Sequence, residues 1–186
     1  MADGSEASSG ERRHYRMVDV GGKGITRRRA IATGRIVLGS TAFPMVREGT
    51  LPKGDPLVLA ETAGILAAKQ TAGLIPLCHP LGLDHVELAF VPEPGDEAVR
   101  VFCQASTSAR TGVEMEALTG VQVALLTIWD LAKQVEPALA IDGVRLLLKE
   151  GGKSGRWEHP DGLPPLPAGF DPARPVPHST GNIPHG

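Results

Sequence analysis

The sequence predicts an α+β domain built on one antiparallel sheet, and three observations point to it. Strand-like stretches, β-branched or alternating, recur at about residues 26–38, 85–93, 99–106 and 141–150. Two long helical stretches, at about 56–72 and 114–136, interrupt them, the first opening on an N-cap and the second on a glycine turn. The order that results is strand, helix, strand, strand, helix, strand, which is the split βαβ, ferredoxin-like order. It places the two main helices on one face of the sheet.

Each element has a local reason. Residues 26–38, TRRRAIATGRIVL, alternate imperfectly and finish β-branched, which marks the first strand. A short helix is expected over 41–48, and REGTLPKG is a turn-rich connector. Asp55-Pro56 joins an N-cap residue to a proline at the first helical position. The helix LVLAETAGILAAKQTA then runs to Gly73, a terminating residue. Positions 63, 64, 67 and 68 are Ala or Gly, so a neighbouring backbone can approach this helix closely. IPLCHPLG is too rich in proline for regular structure, while HVELAFVPE alternates as a strand. Pro-Gly-Asp turns the chain, and VRVFCQAS is the antiparallel return. Glu114 and Glu116 fall in the first turn of the long helix, where carboxylates complement the helix dipole. IDGVRLLLKE closes the sheet.

Composition sets the domain plan. A chain of 186 residues supports one domain of ordinary size, here expected at 15–156. Aromatic content of 4% puts the weight of the core on Leu, Val, Ile and Ala. Residues 1–14 are small, polar and charged, as an unstructured lead-in would be. From Trp157 the chain holds half of its 16 prolines, and 157–186 is expected to be a mobile tail. His178 and His185 in that tail have no partner ligands near them in sequence. VRLLL and the first strand carry apolar residues on both faces, so the sheet face without helices is expected to bury against another subunit.

The same composition removes several classes of function. A net charge of −2 gives no support for nucleic acid or an anionic membrane as partner. Cys78 and Cys103 have no CxxC spacing, which fits free thiols in a reduced, cytoplasmic protein. The N-terminus lacks the apolar segment of a secretion signal, and no apolar run reaches about 18 residues.

Charged residues set in apolar or rigid segments carry the chemistry. Asp130 and Lys133 lie one turn apart on a helix otherwise poor in charge. As a solvated surface pair they would do little, but similar lone charges recur elsewhere. Lys69 sits on the small-residue helix, where it either snorkels to solvent or faces a ligand. Lys53-Gly54 enters a helix N-terminus, a place that favours anions. Cys78 and His79 are adjacent in a proline-bounded loop; the histidine reads as packed or exposed, ligand-binding or acid–base, and no third ligand gives metal spacing. EGGKSG at 150–155 is no phosphate-loop motif, because position 147 is Leu and no helix follows Ser154. It is a flexible cationic loop with Lys149 and Lys153. Together these residues suit an anionic ligand and acid–base chemistry, with no metal and no cofactor. Glu116 and Asp130 are about 21 Å apart at roughly 1.5 Å per residue, so either the ligand is long or two subunits share each site.

MVDV at 17–20, KGDPL at 53–57, AGILAAK at 63–69, LIPLCHPL at 74–81, TGVEMEALT at 111–119, the Asp130 and Lys133 pair, and LLKEGGKSG at 147–155 resemble the MoaC family. These are the cyclic pyranopterin monophosphate synthases of molybdenum cofactor biosynthesis, and the resemblance runs from about 17 to 157. It implies a ferredoxin-like subunit, a hexamer made as a trimer of dimers, and active sites at the dimer interface. It implies a lyase that converts a cyclised dihydro-GTP, supplied by a radical SAM enzyme, to cyclic pyranopterin monophosphate with release of pyrophosphate. By the same resemblance Asp130 is the catalytic aspartate, with Lys133 beside it and Lys53 as a further acid–base candidate. Leu77, Cys78, His79, Met115 and Glu116 match substrate-contacting positions. Arg28, Lys69, Glu114, Lys149 and Lys153 match further pocket positions, with Arg27 and Arg29 as neighbouring alternatives to Arg28. Arg110 departs from the family pattern, which often has lysine there. A different class stays open on the residues alone: a non-catalytic nucleotide-binding regulatory module of the same fold. Asp130 speaks against it, since a binder of triphosphate gains nothing from a carboxylate nearby.

Overall fold

The computed structural model describes residues 15–173; residues 1–14 and 174–186, with His178 and His185, lie outside the described residues. Five strands form one antiparallel sheet in the order β2-β3-β1-β4-β5. They are β1 (Thr26–Val37), β2 (His85–Glu93), β3 (Ala98–Ala109), β4 (Ala140–Glu150) and the short β5 (Trp157–Glu158). The helices are α1 (Gly39–Glu48), α2 (Pro56–Lys69), α3 (Thr71–Leu74) and α4 (Glu114–Ala132). The first four strands and the helices α2 and α4 reproduce the ferredoxin-like order predicted from periodicity.

The predicted start of α2 is built as expected. Asp55 Oδ1 accepts from the Leu57 and Val58 amides at 2.9 and 3.4 Å, and Pro56 occupies the first helical position. The end comes earlier than Gly73. Thr71 Oγ1 donates to the Ala67 and Ala68 carbonyls at 3.2 and 3.0 Å, which closes α2 at Lys69 and starts the single turn of α3. Likewise α4 stops at Ala132, short of residue 136; beyond it the Val135 and Glu136 amides both bond to the Ala132 carbonyl.

α2 and α4 pack against each other on one face of the sheet, and they meet at glycines. A Cβ on Gly64 would lie 2.9 Å from the Gly120 carbonyl oxygen and 2.5 Å from Leu88 Cδ2. The small residues of AGILAAK therefore do what the sequence indicated: they let a neighbouring backbone in. Beneath the helices lies the main core, which includes Ala30, Ile36, Val99, Val101, Val121, Leu125 and Ile128. α4, at 19 residues, is long and apolar enough to cross a membrane by length and composition, but its apolar face is spent on this core.

The opposite sheet face differs from the expectation. Ile31, Phe102, Leu147 and Leu148 form a second core, and it is covered by this chain's own Phe170, with Leu163 and Leu166 beside it. Phe170 is fully buried, edge-on to Phe102 at 6.2 Å between ring centroids. A register shift between Ile31 and Ala32 leaves Leu147 unpaired in the ladder, so consecutive leucines reach the same cluster. Residues 157–173 are thus not the loose tail that their proline content predicted. Proline stops a helix or a central strand, but it does not stop an irregular segment from laying its few apolar side chains on a sheet. Apolar surface remains elsewhere: Val58, Leu59 and Leu66 on α2 and Leu126 on α4 are exposed.

Candidate active site

The site residues gather at the two ends of α4. At the C-terminal end, Lys53 and Lys133 converge on Asp130. Lys133 Nζ lies 2.7 Å from Asp130 Oδ1, one turn away on the same helix. Lys53 comes from the loop before α2 and donates to Asp130 Oδ2 at 3.1 Å and to the Asp130 carbonyl at 3.3 Å. Hydrogen bonds from Lys133 first and Lys53 second hold the Asp130 carboxyl below its usual range. The cluster is open: Asp130 and Lys133 side chains are each 52% exposed and Lys53 36%. It stays ionised but borders none of the cavities described below.

The N-terminal end of α4 is built differently. The loop Arg110–Val113, the end of β4, the start of β1 and the arm before β1 surround two adjoining cavities. The larger, about 700 Å³, is cationic, with Lys23, Arg28, Arg110, Lys149 and Lys153 at its wall. The smaller, about 330 Å³, takes Leu77, Cys78, His79, Met115 and Glu116. Lys23, Thr111, Gly112 and Glu114 line both. Lys149 Nζ faces Glu114 Oε1 at 3.4 Å across the larger cavity. Arg28 lies over Gly152, which holds φ of 72°; at Gly151 φ is 98° and a Cβ would also meet the Arg27 carbonyl oxygen at 2.2 Å, so glycine there is required twice. The Arg28 Nε is buried and has no hydrogen-bond partner among the described residues, while Nη2 reaches the Arg110 carbonyl at 3.5 Å.

His79 Nε2 donates to the Val18 carbonyl at 2.8 Å, since a carbonyl only accepts. This bond fixes the arm over the smaller cavity and leaves Nδ1 as the second polar atom of the ring. Glu116 is 4% exposed. Burial, with the neighbouring Glu114 adding to it, pushes its carboxyl above the usual range, against the opposing pull of its own backbone amide. The Cys78 thiol is also pushed up, by burial and then by Glu116. Two carboxyls on one helix are therefore biased oppositely, Glu116 toward the protonated form and Asp130 toward the ionised form.

Of the residues expected at the site, Lys53, Asp130 and Lys133 come together, as do Arg28, Glu114, Lys149 and Lys153, and Leu77, Cys78, His79, Met115 and Glu116. Lys69 joins none of these three groups; it is exposed at the end of α2. Lys23, missed by sequence reasoning, lines both cavities. Its signal was a lysine held between glycines in VGGKG, directly after MVDV. Among the described residues, no group of three or more His, Cys, Asp and Glu side chains is placed to hold a metal ion.

The fold and site define a class: a ferredoxin-like α+β protein with a cationic, glycine-lined cavity and a separate lysine–aspartate–lysine cluster. Within that class the relatives are specific. Residues 17–152 match the MoaC family, and the chain belongs to it. It is 49% identical over 147 residues to the cyclic pyranopterin monophosphate synthase of Chloroflexus aurantiacus, covering 79% of this chain and 90% of the relative. It is 50% identical over 143 residues to that of Chloroflexus aggregans, covering 77% and 87%. The similarly named protein of Novosphingobium aromaticivorans is 52% identical over 145 residues, covering 77% and 90%.

Proposed function

We infer that this chain is a cyclic pyranopterin monophosphate synthase of molybdenum cofactor biosynthesis. As a lyase, it converts a cyclised dihydro-GTP to cyclic pyranopterin monophosphate and releases pyrophosphate. The observation that carries this reading is the convergence of Lys53 and Lys133 on one ionised carboxylate, Asp130. A module that only binds nucleotide has no use for that arrangement beside a triphosphate.

Roles follow from the chemistry of each half. Lys23, Arg28, Lys149 and Lys153 hold the triphosphate, because fixed cations in a shaped cavity stabilise both the bound anion and the leaving pyrophosphate. Asp130 accepts and returns protons, with Lys53 and Lys133 holding it ionised and aimed. Glu116, biased toward its protonated form, is a proton donor, and His79 Nδ1 is a further polar contact for the purine-derived rings.

These roles concern one reacting centre only if the two ends of α4 meet, and they are about 21 Å apart along the helix. We therefore infer that the cavities of one subunit face the Asp130 cluster of a neighbour in a symmetric dimer. Exposed Val58, Leu59, Leu66 and Leu126 on the helices supply apolar surface for assembly, consistent with a hexamer made of three such dimers. Free Cys78 and Cys103 fit the cytoplasm as its compartment. The test is incubation with the cyclised dihydro-GTP intermediate and detection of pyrophosphate and a pterin. Both products are expected; binding without turnover would favour the regulatory module.

A further inference from the structure

The family match ends at residue 152, and the segment that covers the second sheet face lies beyond it. Its contacts are not those of a simple lid on apolar surface. Arg29 and Glu150 are register partners on β1 and β4, and they form a nearly buried ion pair at 2.8 Å, with side-chain exposures of 8% and 13%. The remaining guanidinium donors of Arg29 go to the carbonyls of Asp171 and Pro172 at 3.0 and 3.4 Å. Arg156 grips the other oxygen of Glu150 at 2.6 Å and also bonds to the Pro172 carbonyl. One carboxylate is thus held by two arginines, and both arginines are held by the backbone of 171–172.

Strand alternation connects this network to the anion cavity. Successive side chains on a strand point to opposite faces. Arg29 and Glu150 lie under the C-terminal segment, so their neighbours Arg28 and Lys149 point into the cationic cavity. Glu150 is also the last residue of β4, and Arg156 precedes β5. Between them runs Gly151–Gly155, whose glycines at 151, 152 and 155 have positive φ and which carries Lys153. The loop's own hydrogen bond, from the Gly155 amide to the Gly152 carbonyl at 3.3 Å, closes a turn around Lys153 but does not tie that turn to the sheet. The Glu150–Arg156 pair closes its neck, and the bonds to 171–172 hold that pair.

We propose that residues 163–172 are a positioning clamp for the anion-binding loop, anchored by Phe170. The segment touches no ligand; it fixes the strand pair and the loop neck so that Arg28, Lys149 and Lys153 converge on a pyrophosphate-sized anion. This rests on the reading of the cationic cavity as the triphosphate site.

The test uses the full chain with Phe170→Ala and Phe170→Leu, titrated calorimetrically with inorganic pyrophosphate and assayed for turnover. Misplacing binding groups without removing them is expected to weaken affinity about tenfold. Phe170→Ala should therefore weaken pyrophosphate and raise KM by that factor, with kcat within about twofold of the native value. Phe170→Leu, which still fills the site with apolar volume, should restore most of the affinity. Arg156→Gln, which opens the loop neck at Glu150, loosens Glu158 and releases the Pro172 carbonyl without disturbing the apolar cover, should show the same defect with a smaller loss of melting temperature. Lower melting temperature with unchanged pyrophosphate affinity in Phe170→Ala and Arg156→Gln would make the segment a cover only and overturn the clamp. If the native chain itself binds no pyrophosphate, the cavity assignment fails first, and the clamp with it.

Discussion

The two ends of α4 carry carboxyls of opposite character, and the difference separates what one subunit completes from what it leaves open. Around Glu116 the chain builds a wall from three separate stretches, 18–23, 77–81 and 111–115, buries the carboxyl and raises its proton affinity. Around Asp130 it supplies charge but no enclosure, and the carboxyl is lowered by cations that are themselves largely in water. An enclosed carboxyl biased toward protonation and an exposed, ionised one are the complementary parts that the proposed mechanism needs. The exposed part gains its power only where water is excluded, as electrostatic interactions strengthen in low dielectric.

The largest expected effect is at the open end. Asp130→Asn keeps size and hydrogen bonding but removes charge and the proton acceptor, so turnover should fall by on the order of 10²–10⁴. Folding and substrate affinity should persist, since an exposed ion pair adds little to stability. Pterin formation and melting temperature of the purified variant check both; near-native turnover would reduce the cluster to a surface ion pair. Next is Lys53→Ala. It keeps Lys133 on Asp130 but removes the second cation, and kcat should drop by about 10²-fold while KM changes little. A raised KM alone would make Lys53 a binding residue.

The enclosed end gives a smaller and pH-dependent effect. Burial raises the Glu116 carboxyl above its unfolded value. Its favourable contribution is complete below the unfolded value and is lost as pH rises through the folded one. Glu116→Gln removes that loss, so the variant's melting temperature relative to the native chain should rise as pH climbs above the usual carboxylate range. Each 1 kcal/mol relieved corresponds to roughly 2–4 °C at this size. A difference independent of pH would show that Glu116 does not resist ionisation.

Much of the fold was legible in sequence because local chemistry decided it. The Asp55-Pro56 start, the alternation of β2 and the small residues at 63, 64, 67 and 68 each did what their residue types dictate. What stayed hidden depended on distant contacts. The meeting of Lys53 with Asp130 spans 77 residues of sequence, and no periodicity encodes it. Glu116 looked like an ordinary complement to the helix dipole; only the arm and loops around it bury the carboxyl. The cover over the second sheet face was missed because proline content reports on regular structure, whereas the segment docks through Phe170 and a few carbonyls. With that face partly covered, the case for assembly moves from the sheet to the helices and to the divided site.

Mixing two inactive variants tests that division most directly. Asp130→Asn retains an intact cavity half, and a Glu116→Gln, Lys149→Ala double variant retains an intact Asp130 half. If a symmetric dimer shares its sites, random reassociation puts one fully native site in each mixed dimer, or about a quarter of all sites. Unfolding, mixing and refolding the two in equal amounts should therefore restore about a quarter of native pterin formation. Activity no greater than the sum of the separate variants, with mixed dimers verified by mass, would contradict a site divided between subunits.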